Sequence, residues 1–107
     1  MAFRIEWLES AQNDLDKEIS YVLGNFGRNT ARKAYLKIKE NINKLATFPL
    51  IGTIYEGITY KGYEVYKLPL QQITIFYSVQ TNLITILAIW NNYKDPERIP
   101  YQLLNLE

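Results

Sequence analysis

The chain has no cysteine and no histidine. The first absence excludes disulfides, thiol catalysis and a cysteine-held metal. The second removes the commonest general base and the commonest zinc ligand. Any catalysis must then run on Lys, Arg, Tyr, Asp or Glu, and neither a metal nor another cofactor is expected. Charge of one sign is also lacking. Twelve basic against eleven acidic residues leave a net charge of +1, so no global field draws in nucleic acid. There is no long apolar run. The longest, Leu83 to Trp90, is interrupted by Thr85 and is too short to cross a bilayer. The opening MAFRIEWLES carries no apolar core of a secretory signal, so no membrane association and a cytoplasmic location are expected. Glycine and proline are sparse, five and four, and no linker, repeat or low-complexity stretch breaks the chain. A single domain over residues 1–107 is the expectation.

What is present is an ordinary globular composition, 48% hydrophobic and 21% charged. Residues 2–8 alternate, with Phe3, Ile5 and Trp7 on one face and Arg4 and Glu6 on the other, as in a half-buried strand. Ala11, Leu15, Ile19, Val22, Leu23 and Phe26 then recur at helical spacing, and Gly24 and Gly27 bracket the stop. Asp14 suits the positive end of this helix. A second helix is expected from about Asn29 or Thr30, either of which could cap it, to Thr47, with Ala31, Ala34, Ile38, Ile42 and Leu45 as its stripe. Pro49 and Gly52 end it. The short connection makes the helices an antiparallel hairpin, and both stripes are expected to be core.

The period then changes to two. Tyr60–Leu68, Ile73–Val79 and Leu83–Trp90 read as strands joined by the short links at 69–72 and 80–82, which gives an antiparallel meander. From Asn91 onward the chain reads as a loop with an ordered or peeling tail. The order β-α-α-β-β-β is an α+β fold, a helical hairpin packed on a small antiparallel sheet, because each element has one apolar face to cover. The first strand joins the sheet beside the last strand or at an edge.

This order resembles the RelE/ParE toxin superfamily over nearly the whole chain. The resemblance rests on Ile5-Glu6-Trp7 followed by Ala11 and Asp14-Leu15, on Leu45, Pro49 and Gly52 as the helix exit, and on Tyr66-Lys-Leu-Pro-Leu with Ile75-Phe-Tyr77 as central strands. Ile86-Leu-Ala-Ile-Trp90 and Lys94-Asp95 look like the last strand and its turn. The two long helices make it nearest to ParE-like plasmid-stabilisation proteins. The resemblance implies a toxin held inactive by a cognate antitoxin, with DNA gyrase, or the ribosome and its mRNA, as target. The family often has Arg where Tyr66 stands and His or another polar residue where Trp90 stands. These departures favour a ParE-like gyrase inhibitor over a RelE-like mRNA endonuclease, and leave room for a degenerate, non-toxic binding module. A homo-oligomer is also open.

If the chain cuts RNA, the candidate residues are Lys61, Lys67, Lys94 and Arg98 to stabilise the phosphate, Glu64, Tyr66 or Tyr93 to move a proton or contact the target. Lys67 is next to Tyr66, and adjacent strand residues face opposite sides. Each candidate also has a plain structural explanation: strand tyrosines pack well, and lysines keep surfaces soluble. Helix two is basic (Arg28, Arg32, Lys33, Lys37, Lys39, Lys44) beside an acidic helix one, which reads most simply as a solvated face partly compensated by its neighbour. The tail residues Tyr101, Leu103, Leu104 and Leu106 should dock, on the domain itself or on a partner.

Overall fold

A computed structural model describes residues 2–106. It contains β1 (Arg4–Trp7), α1 (Glu9–Phe26), α2 (Arg28–Lys44), β2 (Thr53–Tyr60), β3 (Tyr63–Pro69), β4 (Ile73–Val79), β5 (Leu83–Asn91), a 3-10 turn (Pro96–Arg98) and α3 (Ile99–Leu104). The hairpin is tighter than expected, since Gly27 alone separates the helices. Gly27 sits at φ 90, a conformation open to glycine at little cost, and its own carbonyl starts α2 by accepting from Ala31. Neither Asn29 nor Thr30 caps α2; both lie inside it. Gly24 is likewise helical.

The sheet has five strands in the order β1-β5-β4-β3-β2. The meander β2 to β5 is antiparallel throughout, whereas β1 lies parallel to β5, so the sheet is mixed rather than purely antiparallel. β2 is the element that the sequence pattern hides. The strand expected from Tyr60 begins instead at Tyr63, after a hairpin turn at Lys61 and Gly62, both at positive φ, and Tyr60 ends β2. A register shift between Ile54 and Thr59, with Gly57 at φ 90, breaks the alternation of β2.

Each face of the sheet has its own core. On one face Ala11 and Leu15 of α1 and Ile38, Ile42 and Leu45 from α2 and its exit pack on Ile73, Ile75, Tyr77, Ile84, Ile86 and Ile89. On the other, Tyr60, Val65, Phe76, Leu87 and Trp90 are covered by Ile99 and Leu103 of the tail. The tail thus docks on its own domain, with Tyr101 and Leu104 turned outward. β4 is buried on both sides, which is why its sequence reads as a nearly continuous apolar run. Leu23 and Phe26 depart from the expected stripe of α1 and are half or more exposed.

Two polar contacts fix the layers. The hydroxyl of Tyr77, itself fully buried, accepts from the Gly52 N–H at 3.0 Å. A Cβ on Gly52 would lie 2.6 Å from the Lys67 carbonyl oxygen and 2.7 Å from that hydroxyl, so the helix exit needs glycine for close approach. The second contact concerns the outer edge of β5. β1 covers that edge only as far as Ile86, leaving the Ile89 N–H without a strand partner. Asp14 of α1 accepts it at 3.1 Å. An unpaired buried N–H would cost roughly 1–3 kcal/mol, so this aspartate has a tertiary role beyond the helix end.

Candidate functional site

Strand alternation splits the neighbouring candidates Tyr66 and Lys67. Tyr66 points to the helix face and stacks on Tyr77, with ring centroids 5.5 Å apart and planes 20° from parallel. Lys67 points to the opposite face. There it lines a cavity of about 280 Å³ with Tyr55, Thr74, Phe76, Trp90, Asn92 and Lys94 among its walls. Lys94 follows β5 and places its ammonium 5.5 Å from the Trp90 ring centre, a cation–π contact. Thr74 donates to the Asn92 side-chain oxygen at 2.7 Å, which fixes that amide at the rim. No carboxylate lines the cavity.

The other candidates lie elsewhere. Lys61 occupies the β2–β3 turn, with its ammonium 5.5 Å from the Tyr60 ring centre. Glu64 is exposed opposite Thr59. Tyr93 is 84% exposed, its N–H donating to the Asn91 side chain. Arg98 is exposed at the end of the 3-10 turn. The fold therefore unites Lys67 and Lys94, and leaves Tyr66, Lys61 and Glu64 apart from them. Asn92, Thr74 and Tyr55 join the cavity without having been anticipated. Only Thr74 carried a sequence signal, its two-residue spacing along β4 from Phe76, the cross-strand partner of Lys67, and that needs the register to read.

A second concavity, about 300 Å³, runs along the hairpin at the β3–β4 turn. Val22, Phe26, Ala34, Ile38, Leu70 and Ile73 give it an apolar floor, and Lys33 and Lys37 stand on its rim. Among the described residues neither lysine is in an ion pair with helix one. Glu18 of α1 also lines the groove, with its carboxylate accepting from Asn91 at 3.2 Å, while Asp14 accepts from Ile89 and from Gln102 of α3. Among the described residues the one salt bridge is Arg4–Glu6, so the expected compensation between the helices is not made through ion pairs. Burial raises the Asp14 carboxyl above its ordinary value, against the Ile89 hydrogen bond and the nearby charge of Lys94. Burial likewise raises the Tyr77 phenol.

A helical hairpin over a five-strand mixed sheet, with strand one parallel to the last, defines a class, the RelE/ParE-like α+β fold. A chain of the structure described as the chromosomal ParDE TA system from P. aeruginosa superposes with a TM-score of 0.66 at 22% identity, covering 84% of this chain and 96% of that one. The family model of the ParE toxin of type II toxin–antitoxin systems, parDE, matches residues 5–96. The chain belongs to that ParE toxin family. Comparison with curated proteins gives no match. α3 lies beyond the matched stretch. No helix of the described residues is long and apolar enough to cross a membrane.

Proposed function

We propose that this ParE-family toxin inhibits DNA gyrase by binding, without cutting a bond, in the cytoplasm, and that a ParD-like antitoxin neutralises it. The observation that carries the non-nuclease reading is the basic cavity itself. It holds Lys67 and Lys94 but no carboxylate or imidazole to take a proton from an attacking hydroxyl. Tyr66 is occupied on the other face against Tyr77, and Glu64 projects into solvent.

The groove along the hairpin is the antitoxin's seat in this reading. Its floor suits the apolar side of an amphipathic segment, and Lys33 and Lys37 suit acidic residues flanking it. Phe26, which is 62% exposed, would be an anchor. The second reading, an mRNA endonuclease, is favoured by the pairing of Lys67 with Lys94, which could hold a scissile phosphate.

The test is controlled expression in a bacterium, with growth, gyrase–DNA cleavage complexes and whole-cell mRNA ends read together. Arrest with intact mRNA and trapped gyrase is expected. Arrest with new mRNA ends, lost in Lys67→Ala, would replace the gyrase reading with the nuclease. No arrest at confirmed protein levels would leave a binding module. Phe26→Glu should leave the toxin folded and toxic while abolishing rescue by the antitoxin.

A further inference from the structure

We infer that the cavity behind the sheet is a phosphate-binding site, formed by Lys67, Lys94 and Asn92. This inference holds whichever target the toxin has. Its first support is the charge of the walls. Both ionic side chains that line the cavity are lysines, contributed by β3 and by the turn after β5. Neither is in an ion pair among the described residues. The nearby acids are engaged: Asp95 accepts from the Glu97 N–H at 3.0 Å, and Asp14, whose carboxyl feels the charge of Lys94 without an ion pair to it, accepts from Ile89 and Gln102.

Its second support is the orientation of the donors. Lys94 is held over Trp90 by its cation–π contact, which leaves its ammonium hydrogens for a ligand. The Thr74 hydroxyl uses the Asn92 oxygen, so the Asn92 amide is left to present hydrogens; its contact with the Leu70 carbonyl is long, 3.5 Å. Two cations and an amide donor on an apolar floor fit a tetrahedral oxyanion. Of the aromatic walls, Tyr55 is half-buried and held edge-to-face on Phe76, and the other two offer no stacking platform. Trp90 is 5% exposed and Phe76 1%, so neither has a free ring face for a base. The recognised group is therefore the phosphate itself, carried by a nucleic-acid strand or by a small phosphorylated molecule.

The test follows the Trp90 indole and Asn92 side-chain amide signals in the nitrogen-15 spectrum of the full chain. The probes are inorganic phosphate and short oligothymidylate and oligouridylate. Saturable shifts of both signals are expected. Lys67→Gln or Lys94→Gln should weaken binding about tenfold or more, as loss of a charge-assisted contact does, while Lys67→Arg retains it. Lys37→Gln, on the far side of the sheet, should bind as the parent does. With an oligonucleotide, two phosphate contacts predict about a sevenfold loss of affinity from 50 to 200 mM salt. Tighter binding of the oligonucleotides than of phosphate identifies a nucleic-acid strand as the source; phosphate binding alone identifies a small phosphorylated molecule. Absence of saturable shifts with every probe, or equal weakening in Lys37→Gln and Lys67→Gln, overturns the site.

Discussion

The two faces of the sheet are built from the same strands and do different work. On the helix face β4 presents Ile73, Ile75 and Tyr77, and the hairpin seals them. On the back face the same strand presents Thr74, Phe76 and Ser78, under a cover only as long as α3. The helix face is closed along its length by two long helices and carries its ligand groove at one end, beside the β3–β4 turn. The back face stays open where α3 stops short, and there Lys67 and Lys94 meet. Area of cover decides the difference. Two helices of about four turns or more span a five-strand sheet, whereas one six-residue helix leaves part of it uncovered.

The largest expected effect lies on the sealed side. Ile75→Ala should lower stability by about 2–5 kcal/mol through lost burial and the cavity left behind, measured by urea unfolding. A change under about 1 kcal/mol would mean that the hairpin is not the principal cover. Next comes the helix exit. Gly52→Ala forces a methyl against the Lys67 carbonyl and the Tyr77 hydroxyl, and overpacking of this kind costs about 1–3 kcal/mol. Because Lys67 also lines the open side, this variant should disturb phosphate binding too, whereas Ile75→Ala should not at temperatures where it stays folded.

Asp14 joins the two sides, since it touches β5 and α3 at once. Asp14→Ala leaves the Ile89 N–H without an acceptor, for a loss of roughly 1–3 kcal/mol. Asp14→Asn keeps an acceptor and should lose less. The pH dependence has a definite sign. Because the folded carboxyl is raised above its ordinary value of 3.8, the folded state holds the proton more tightly than the unfolded one. That contribution is fully present below pH 3.8 and is lost as pH rises through the raised folded value. Asp14→Asn should remove this component from the acid limb of the stability profile. An unchanged limb would place the raised carboxyl elsewhere. The smallest effect belongs to the open side: Lys67→Gln should change stability by no more than about 0.5 kcal/mol in thermal unfolding. A larger loss would make Lys67 part of the scaffold and blur the contrast between the faces.

Much of this architecture was legible in residue order. The alternation of Phe3, Ile5 and Trp7 gave a strand with those residues inward, as found. The helical stripes located both helices, and period two located β4 and β5. β2 was not legible, because its burial does not alternate: Gly57 and the shifted register remove the period that marks a strand. The outward turn of Leu23 and Phe26 was hidden too. A stripe shows which residues could be buried together, while the extent of the sheet beneath decides which of them are.

The sequence by itself determined the opening strand, the helical hairpin and the meander of β3 to β5, the absence of thiol and imidazole chemistry, and the opposed directions of Tyr66 and Lys67. These follow from local periods and side-chain chemistry. Tertiary structure alone decided that β1 runs parallel to β5, that Asp14 serves the edge of β5, and that Lys67 and Lys94 share one cavity. Each of these depends on register between segments distant in the chain, and register is set by which faces must be buried together.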